Sequence, residues 1–281
     1  MLHISFLFAL VAGAQSVATR EPVRAAPYVP SPQLVVTEML KLANVGPGDF
    51  VIDLGSGDGR IVLTAARLFG ARGLGAEIQE DLLKASNESA RREGLADRVR
   101  FVKQDLFKAN VAPATVVTMY LIPETVEKLR DKLLAELRPG ARIVSHDYTF
   151  AGWAFEKQLE MNLDEKVAVT GVTRTLISLY VVPAKVAGRW TAKLPPSVVN
   201  GPAEIELRQE FSSVSGVARL AGRELALDQV KLSGDTLRFS LALHGAKPTF
   251  FEGQVKGPTI QGVVEAAGSK SAWSASLAGK S

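Results

Sequence analysis

Apolar positions in the first two-thirds of the chain alternate between a helical period and short continuous runs, and the alternation repeats. One helical face (Val35, Val36, Met39, Leu40, Leu42) begins at Gln33, and Gly46-Pro47-Gly48 ends it. Apolar runs at Phe50–Leu54, 73–77, Val99–Lys103, 115–121 and Arg142–His146 predict strands. Helical patterns at 61–69, 80–93 and 124–137 fall between them. The run at 115–121 is nearly all β-branched, as in a strand buried on both faces. This rhythm predicts an α/β fold with a Rossmann-like, doubly wound parallel sheet. Two further β-rich runs, 166–170 and 173–182, are parted by Gly171 with no helix between them. They predict a closing antiparallel hairpin and seven strands in all.

Past Pro183 the period becomes two. Leu237, Phe239, Leu241 and Leu243 alternate with Arg238, Ser240 and Ala242, and Trp273, Ala275 and Leu277 alternate with serines. With turns at Ala221-Gly222, Ser233-Gly234-Asp235 and Lys256-Gly257-Pro258, the pattern predicts six to eight short strands. A small all-β domain follows, a barrel or a sandwich with one wet face. At 281 residues two domains are expected, at 33–185 and 190–281, after a linker at 15–32.

Composition narrows the chemistry. Acids (29) and bases (33) are interspersed, the net charge is +4, and no basic stripe marks a nucleic-acid protein. There is no cysteine, and His3, His146 and His244 are scattered, so no disulfide, thiolate or metal cluster is expected. A short apolar run from Ile4 to Val11, followed by Ala12-Gly13-Ala14, makes residues 1–14 resemble a signal peptide. That predicts export to the periplasm, with a cytoplasmic location as the alternative.

The densest chemistry lies at Val51-Ile52-Asp53-Leu54-Gly55-Ser56-Gly57-Asp58-Gly59-Arg60. A strand ending in an acid and a glycine-rich turn opening a helix is the shape of a nucleotide-type site. The glycines run G-x-G-x-G, and Asp53 and Asp58 flank them. Two carboxylates suit a ligand with an ammonium and ribose hydroxyls better than a diphosphate. S-adenosylmethionine is such a ligand, so methyl transfer is the leading expectation. Asp53 would face the ammonium, and Gly55, Ser56 and Gly57 would line the methionine moiety. Glu77, at the end of the second strand, would accept from the ribose hydroxyls. Asp105 would accept from the adenine amine with Leu106 against the ring, and Thr118 lies where the fourth strand meets the transferred methyl. Tyr120 reads equally as a packed core residue or as an aromatic wall beside the sulfonium or the acceptor amine. His146 reads as a loop-end histidine rather than a base.

Four ordered segments carry a narrower resemblance: Pro27-Tyr28-Val29-Pro30-Ser31-Pro32, the 53–60 turn, Ala114 to Leu121, and Leu137-Arg138-Pro139-Gly140 through Asp147. Together they resemble class I, seven-β-strand S-adenosylmethionine-dependent methyltransferases. The resemblance is nearest to prokaryotic relatives of the mitochondrial protein-lysine methyltransferases that act on ADP/ATP translocase and the ATP synthase c-ring protein. It covers residues 27–182. It implies that 27–32 folds over the cofactor, making Tyr28 a wall of the acceptor channel; Tyr28 joins Tyr120, read from its place at the end of the fourth strand, as a catalytic candidate. It also implies a protein substrate with an accessible lysine and a donor that needs no metal. The competing expectations are methylation of a small molecule or lipid, and an inactive envelope adaptor that works through its β domain.

Overall fold

The computed structural model describes residues 28–279 except 245 and 246. The signal-like segment and the linker as far as residue 27 lie outside the described residues. Seven strands form the first sheet: β1 (Phe50–Leu54), β2 (Arg72–Glu77), β3 (Val99–Lys103), β4 (Val116–Met119), β5 (Arg142–His146), β6 (Lys157–Asn162) and β7 (Arg174–Val181). Their order is β3-β2-β1-β4-β5-β7-β6, parallel except for β7, which pairs antiparallel with both neighbours. The direction of strand addition reverses between β1 and β4. That switch point is where an open α/β sheet leaves a crevice beyond the strands' carboxyl ends.

Alternation along the strands assigns the two faces. Val51, Val116, Val144 and Ile177 pack against α1 (Gln33–Leu42) and α2 (Arg60–Phe69). Ile52, Val117, Met119, Ile143 and Tyr180 pack against Val126, Leu129 and Leu133 of α4 (Pro123–Glu136). A further helix, α3 (Glu80–Arg92), packs beside β3.

The hairpin exists, but its first strand is not the 166–170 run. That run forms a single 3-10 turn, Asp164–Lys166, and a one-turn helix α5, Val167–Thr170. Strand β6 lies nine positions earlier, at a polar stretch whose only apolar residues are Leu159 and Met161. It is an edge strand with one covered side, so it needs no apolar run. Strand β4 is also shorter than 115–121, which leaves Tyr120 and Leu121 in the loop that enters α4.

The second sheet has nine strands, one more than the upper expectation. β8 (Gly188–Lys193), β9 (Ala203–Glu210), β10 (Ser213–Leu220) and β11 (Arg223–Ala226) form one meander. β12 (Asp228–Ser233), β13 (Thr236–His244), β14 (Lys247–Lys256), β15 (Thr259–Ala266) and β16 (Ser269–Leu277) form the other. Antiparallel pairing of β16 with β8 joins them into a nearly closed barrel. The gap falls between β11 and β12, which follow each other in the chain. The interior is filled by side chains: Phe239 stacks on Phe251 at 4.7 Å, and Trp273 meets both edge-on.

The barrel is not loosely tethered. Among the described residues, α4 and the loops after β3 and β5 cover the second face of the sheet, and Phe211 from the β9–β10 turn joins that layer. Its ring stacks on Trp153 at 6.0 Å and lies 5.2 Å from the Arg130 guanidinium carbon. The Ala184 N–H donates to the Gly234 carbonyl at 2.7 Å, and Lys231 pairs with Glu156 at 3.1 Å. Phe211→Ala should therefore destabilise the first domain, by at most the about 3–5 kcal/mol that truncating a fully packed aromatic costs. Denaturant unfolding followed by hydrogen exchange in β5 and β7 checks this, and an unchanged midpoint for those strands would make the barrel a passive appendage.

Candidate active site

The crevice at the switch point collects the acids that the sequence singles out. Asp53, the last but one residue of β1, lies on the face shared with Val51 and is 2% exposed. Register places Thr118 beside it on β4 and Gly75 beside it on β2. The Thr118 hydroxyl donates to Asp53 Oδ1 at 2.7 Å. Thr118 is wholly buried and acts through Asp53 rather than at the crevice surface. Burial pushes the Asp53 carboxyl up to about 7; the Thr118 hydrogen bond opposes this, and the neighbouring Glu77 and Asp58 carboxylates add to it.

The glycine turn is fastened from beneath by Glu77. One of its oxygens accepts from the Gly57 N–H at 2.8 Å, and the other accepts from the Ile78 and Gln79 N–H groups, each at 2.8 Å. A carboxylate offers about four lone-pair sites, so Oε2 keeps acceptor capacity. Ser56 is buried with no partner for its hydroxyl. Gly75 makes room for it: a Cβ there would lie 2.4 Å from Ser56 Oγ. Asp58 does not face the crevice as a free acid. Burial alone would raise its pKa, but hydrogen bonds from Arg60, the shortest at 2.6 Å, hold it below the usual carboxylate range. Asp105 caps a 3-10 turn, accepting from the Phe107 N–H at 2.9 Å. Leu106, inside that turn, packs on the α4-side core.

The 28–32 segment crosses the crevice as a strap. Arg60 donates to the Ser31 carbonyl at 2.9 Å, and the Asp58 N–H donates to the Tyr28 hydroxyl at 3.4 Å. The Tyr28 ring lies directly on Gly57, whose φ of 55° is left-handed, and a Cβ there would fall 2.3 Å from the ring. Tyr120, beyond the end of β4, stacks on His146 with ring centroids 3.9 Å apart. His146 is not a loop-end residue. It is the last residue of β5, 0% exposed, and shares Nδ1 with the Ser31 hydroxyl at 2.8 Å. Burial pushes its imidazole down to about 4, against the Asp147 carboxylate and with the Lys166 ammonium, so it is neutral at physiological pH.

The site thus unites Asp53, Gly55, Ser56, Gly57 and Glu77 around one turn. Tyr28 covers it, and Tyr120 stands on the β4–β5 side. Sequence reasoning missed Ser31, Asp147 and Lys166. The only signal was the polar Ser145-His146-Asp147-Tyr148 end of a strand that should be apolar.

A family described as the ANTKMT methyltransferase domain matches residues 53–157. A protein-lysine N-methyltransferase of Saccharolobus islandicus (strain REY15A) is 42% identical over 128 residues, 45% of this chain and 80% of that protein. The chain belongs to this methyltransferase family. An adenine nucleotide translocase lysine N-methyltransferase of Mus musculus is 37% identical over 127 residues. A Xenopus laevis lysine N-methyltransferase named for the C-subunit of ATP synthase is 35% identical over 127 residues. Each vertebrate match covers 45% of this chain but only 55% of the relative. Among solved structures, an RNA methyltransferase from Salinibacter ruber in complex with S-adenosyl-L-homocysteine has a TM-score of 0.51 and 43% identity. That match covers 56% of this chain and 96% of the other.

The residues present fit S-adenosylmethionine, the methyl donor of this methyltransferase. A buried, uncompensated carboxylate at Asp53 calls for a cation, which the donor's ammonium supplies. An orphaned Ser56 hydroxyl and free acceptor capacity on Glu77 call for polar partners. Gly55 and Gly57 keep the turn open to close approach.

Three outcomes follow. Because burial raises Asp53 from 3.8 to about 7, the folded protein prefers it protonated and loses stability as pH rises through that interval. Asp53→Asn should raise the melting temperature of the ligand-free protein above about pH 7 while abolishing donor binding. In the wild type, binding to the ionised carboxylate should weaken about tenfold per pH unit below about 7, and calorimetric titration at several pH values reads this slope. A flat profile would remove Asp53 as the ammonium partner. Gly57→Ala, meeting the Tyr28 ring and a left-handed backbone, should cost donor affinity, and Gly57→Ala with Tyr28→Ala should recover only the part due to the ring.

Proposed function

We propose that this methyltransferase transfers a methyl group to the ε-amine of lysine in a protein substrate. The observation that carries the reading is the 42% identity to a protein-lysine N-methyltransferase across 80% of that protein. The geometry supports it at the acceptor end of the crevice, which is lined by the aromatic rings of Tyr120 and His146. Tyr120 is held as a phenol, its pKa raised by burial and the Asp147 carboxylate. The imidazole behind it is neutral.

S-adenosylmethionine, when bound, supplies a methyl carried on a sulfonium. What the chain must supply is a neutral, aligned amine, because a lysine ammonium, with a pKa near about 10.4 in water, has no lone pair. A desolvated, aromatic approach lowers that pKa, and an uncharged His146 adds no repulsion. The amine's lone pair forms the new N–C bond, the C–S electrons remain on sulfur, and the product ammonium releases its proton to water. No strong base is required when positioning carries the barrier, since effective molarity supplies about 7–11 kcal/mol at best. Asp53 and Glu77 fix the donor end, while Tyr28 and Tyr120 line the path of the acceptor.

The test is incubation of the full chain with tritiated donor and a cell lysate, followed by acid hydrolysis and amino-acid analysis. Label in mono-, di- or trimethyllysine, absent with Asp53→Asn, is the expected result. The Salinibacter ruber neighbour makes RNA the second reading, and nuclease-sensitive label with none in lysine would decide for it.

A further inference from the structure

Ser31, in the middle of the strap, reaches both sides of the crevice. It stands between Pro30 and Pro32, whose rings restrict the backbone and hold the residue before each proline extended. Pro32 itself, at φ −53° and ψ 146°, is the N-cap of α1. The chain is stiff here, so the directions of the Ser31 carbonyl and hydroxyl are set by the strap. The carbonyl accepts from Arg60 at 2.9 Å, and Arg60 grips Asp58 of the glycine turn with a hydrogen bond of 2.6 Å. The hydroxyl meets His146 Nδ1 at 2.8 Å, and the residue is 4% exposed. One oxygen of Ser31 thus serves the donor turn and the other serves β5.

His146 depends on that bond. The χ2 torsion of a histidine is broad and roughly two-fold, so a hydrogen bond is needed to choose the ring's orientation. Its Nε2 is buried without a hydrogen bond, 3.6 Å from Asp147 Oδ1. With the Ser31 hydroxyl donating to Nδ1, the proton sits on Nε2 and faces the carboxylate; the other tautomer would set a lone pair against it. On its face the ring carries Tyr120, with centroids 3.9 Å apart and planes inclined by 31°. Tyr120 lies beyond Met119, the last paired residue of β4, in the loop that enters α4. Its ring is therefore held by side-chain contact rather than by the sheet. Contacts run unbroken from Asp58 through Arg60, Ser31 and His146 to Tyr120.

We propose that Ser31 is a positioning residue for methyl transfer: its hydroxyl locks the His146 ring, and that ring holds Tyr120 in place at the acceptor wall. The strap is then a tie between the donor turn and the acceptor wall as well as a cover. The two oxygens of Ser31 divide the work. Removing the hydroxyl leaves the carbonyl bond to Arg60 intact, so the donor end keeps its anchor and the defect falls on the acceptor end. That Tyr120 meets the acceptor rests on the proposed methylation of lysine; the tie from Ser31 through His146 to Tyr120 does not.

The test compares the full chain with Ser31→Ala, His146→Phe and the double variant. His146→Phe keeps a flat ring beneath Tyr120 but offers Ser31 no nitrogen. In ¹⁵N-histidine protein without donor, His146 is the signal, among three histidines, that is missing from His146→Phe. Its Nδ1 should carry the shift of a hydrogen-bonded acceptor in the wild type and lose it in Ser31→Ala. With ¹³Cζ-labelled tyrosine, the Tyr120 resonance, assigned by its absence from Tyr120→Phe, should also move in Ser31→Ala. Affinity for S-adenosylhomocysteine should be unchanged. The rate of methyl transfer to lysate protein at saturating donor should fall in Ser31→Ala by up to about 10²-fold, the cost of a misplacement of about 1 Å. The double variant should lose no more than His146→Phe, because the hydroxyl acts through the ring. An Nδ1 or Tyr120 signal unmoved in Ser31→Ala, weakened binding of S-adenosylhomocysteine, a wild-type rate, or losses that multiply in the double variant would each overturn the proposal. If His146→Phe does not fold, the signals, affinity and rate of Ser31→Ala decide alone. If wild-type protein labels no lysine, the lysine reading fails, and the two signals and the affinity still decide whether Ser31 sets Tyr120.

Discussion

A carboxylate buried without a cation is the constraint on which the rest of this site depends. Asp53 lies at the switch point of a parallel sheet, in a place where burial holds its proton affinity well above that of an exposed acid. Nothing local requires an acid there. The sheet holds it because the register sets one hydroxyl, Thr118, against it on one side and a residue without a side chain, Gly75, on the other. Glu77 then anchors the glycine turn through three N–H groups, so the two acids, the turn and the orphaned Ser56 hydroxyl form one unit. Ligand-free, that unit is electrostatically unsatisfied. A sulfonium donor with an ammonium and ribose hydroxyls satisfies it.

The acceptor side follows a different logic. It is assembled from segments far apart in the chain: Ser31 in the strap and His146 in β5 are 115 positions apart and share a hydrogen bond. The groups there are arranged to stay uncharged at the surface that meets the acceptor, with the one strong ion pair, Asp147 and Lys166, placed behind it. A donor end built of acids and an acceptor end built of neutral aromatics is the division of labour that transfer from a cation to a neutral amine demands.

The barrel completes the fold rather than decorating it. A parallel sheet must be covered on both faces. Here the face under β5 and β7 has one long helix, a Phe150–Trp153 aromatic cluster around Tyr180, and Phe211 reaching in from the barrel. The relatives matched by the methyltransferase domain share that domain over less than half of this chain.

Much of this was legible in the residues themselves. The 3.6-to-2 changes of period, the glycine turn and the acids at strand ends specify an α/β sheet, its five parallel strands and the donor half of the site. Each depends on neighbours within a few residues or on a strand's own end. The strand β6 was not legible, because an edge strand with one covered side carries almost no apolar signal, whereas the β-branched residues at 166–170 carried a false one that a tertiary position overrode. The pairing of Asp58 needed the fold to show Arg60 bent back upon it. The acceptor wall needed it more: Ser31, Tyr120, His146, Asp147 and Lys166 share no spacing, and only strand order and the antiparallel return of β7 bring them together. Sequence determines what is periodic or contiguous; tertiary structure alone decides which distant polar groups are buried side by side, and hence which of them are charged.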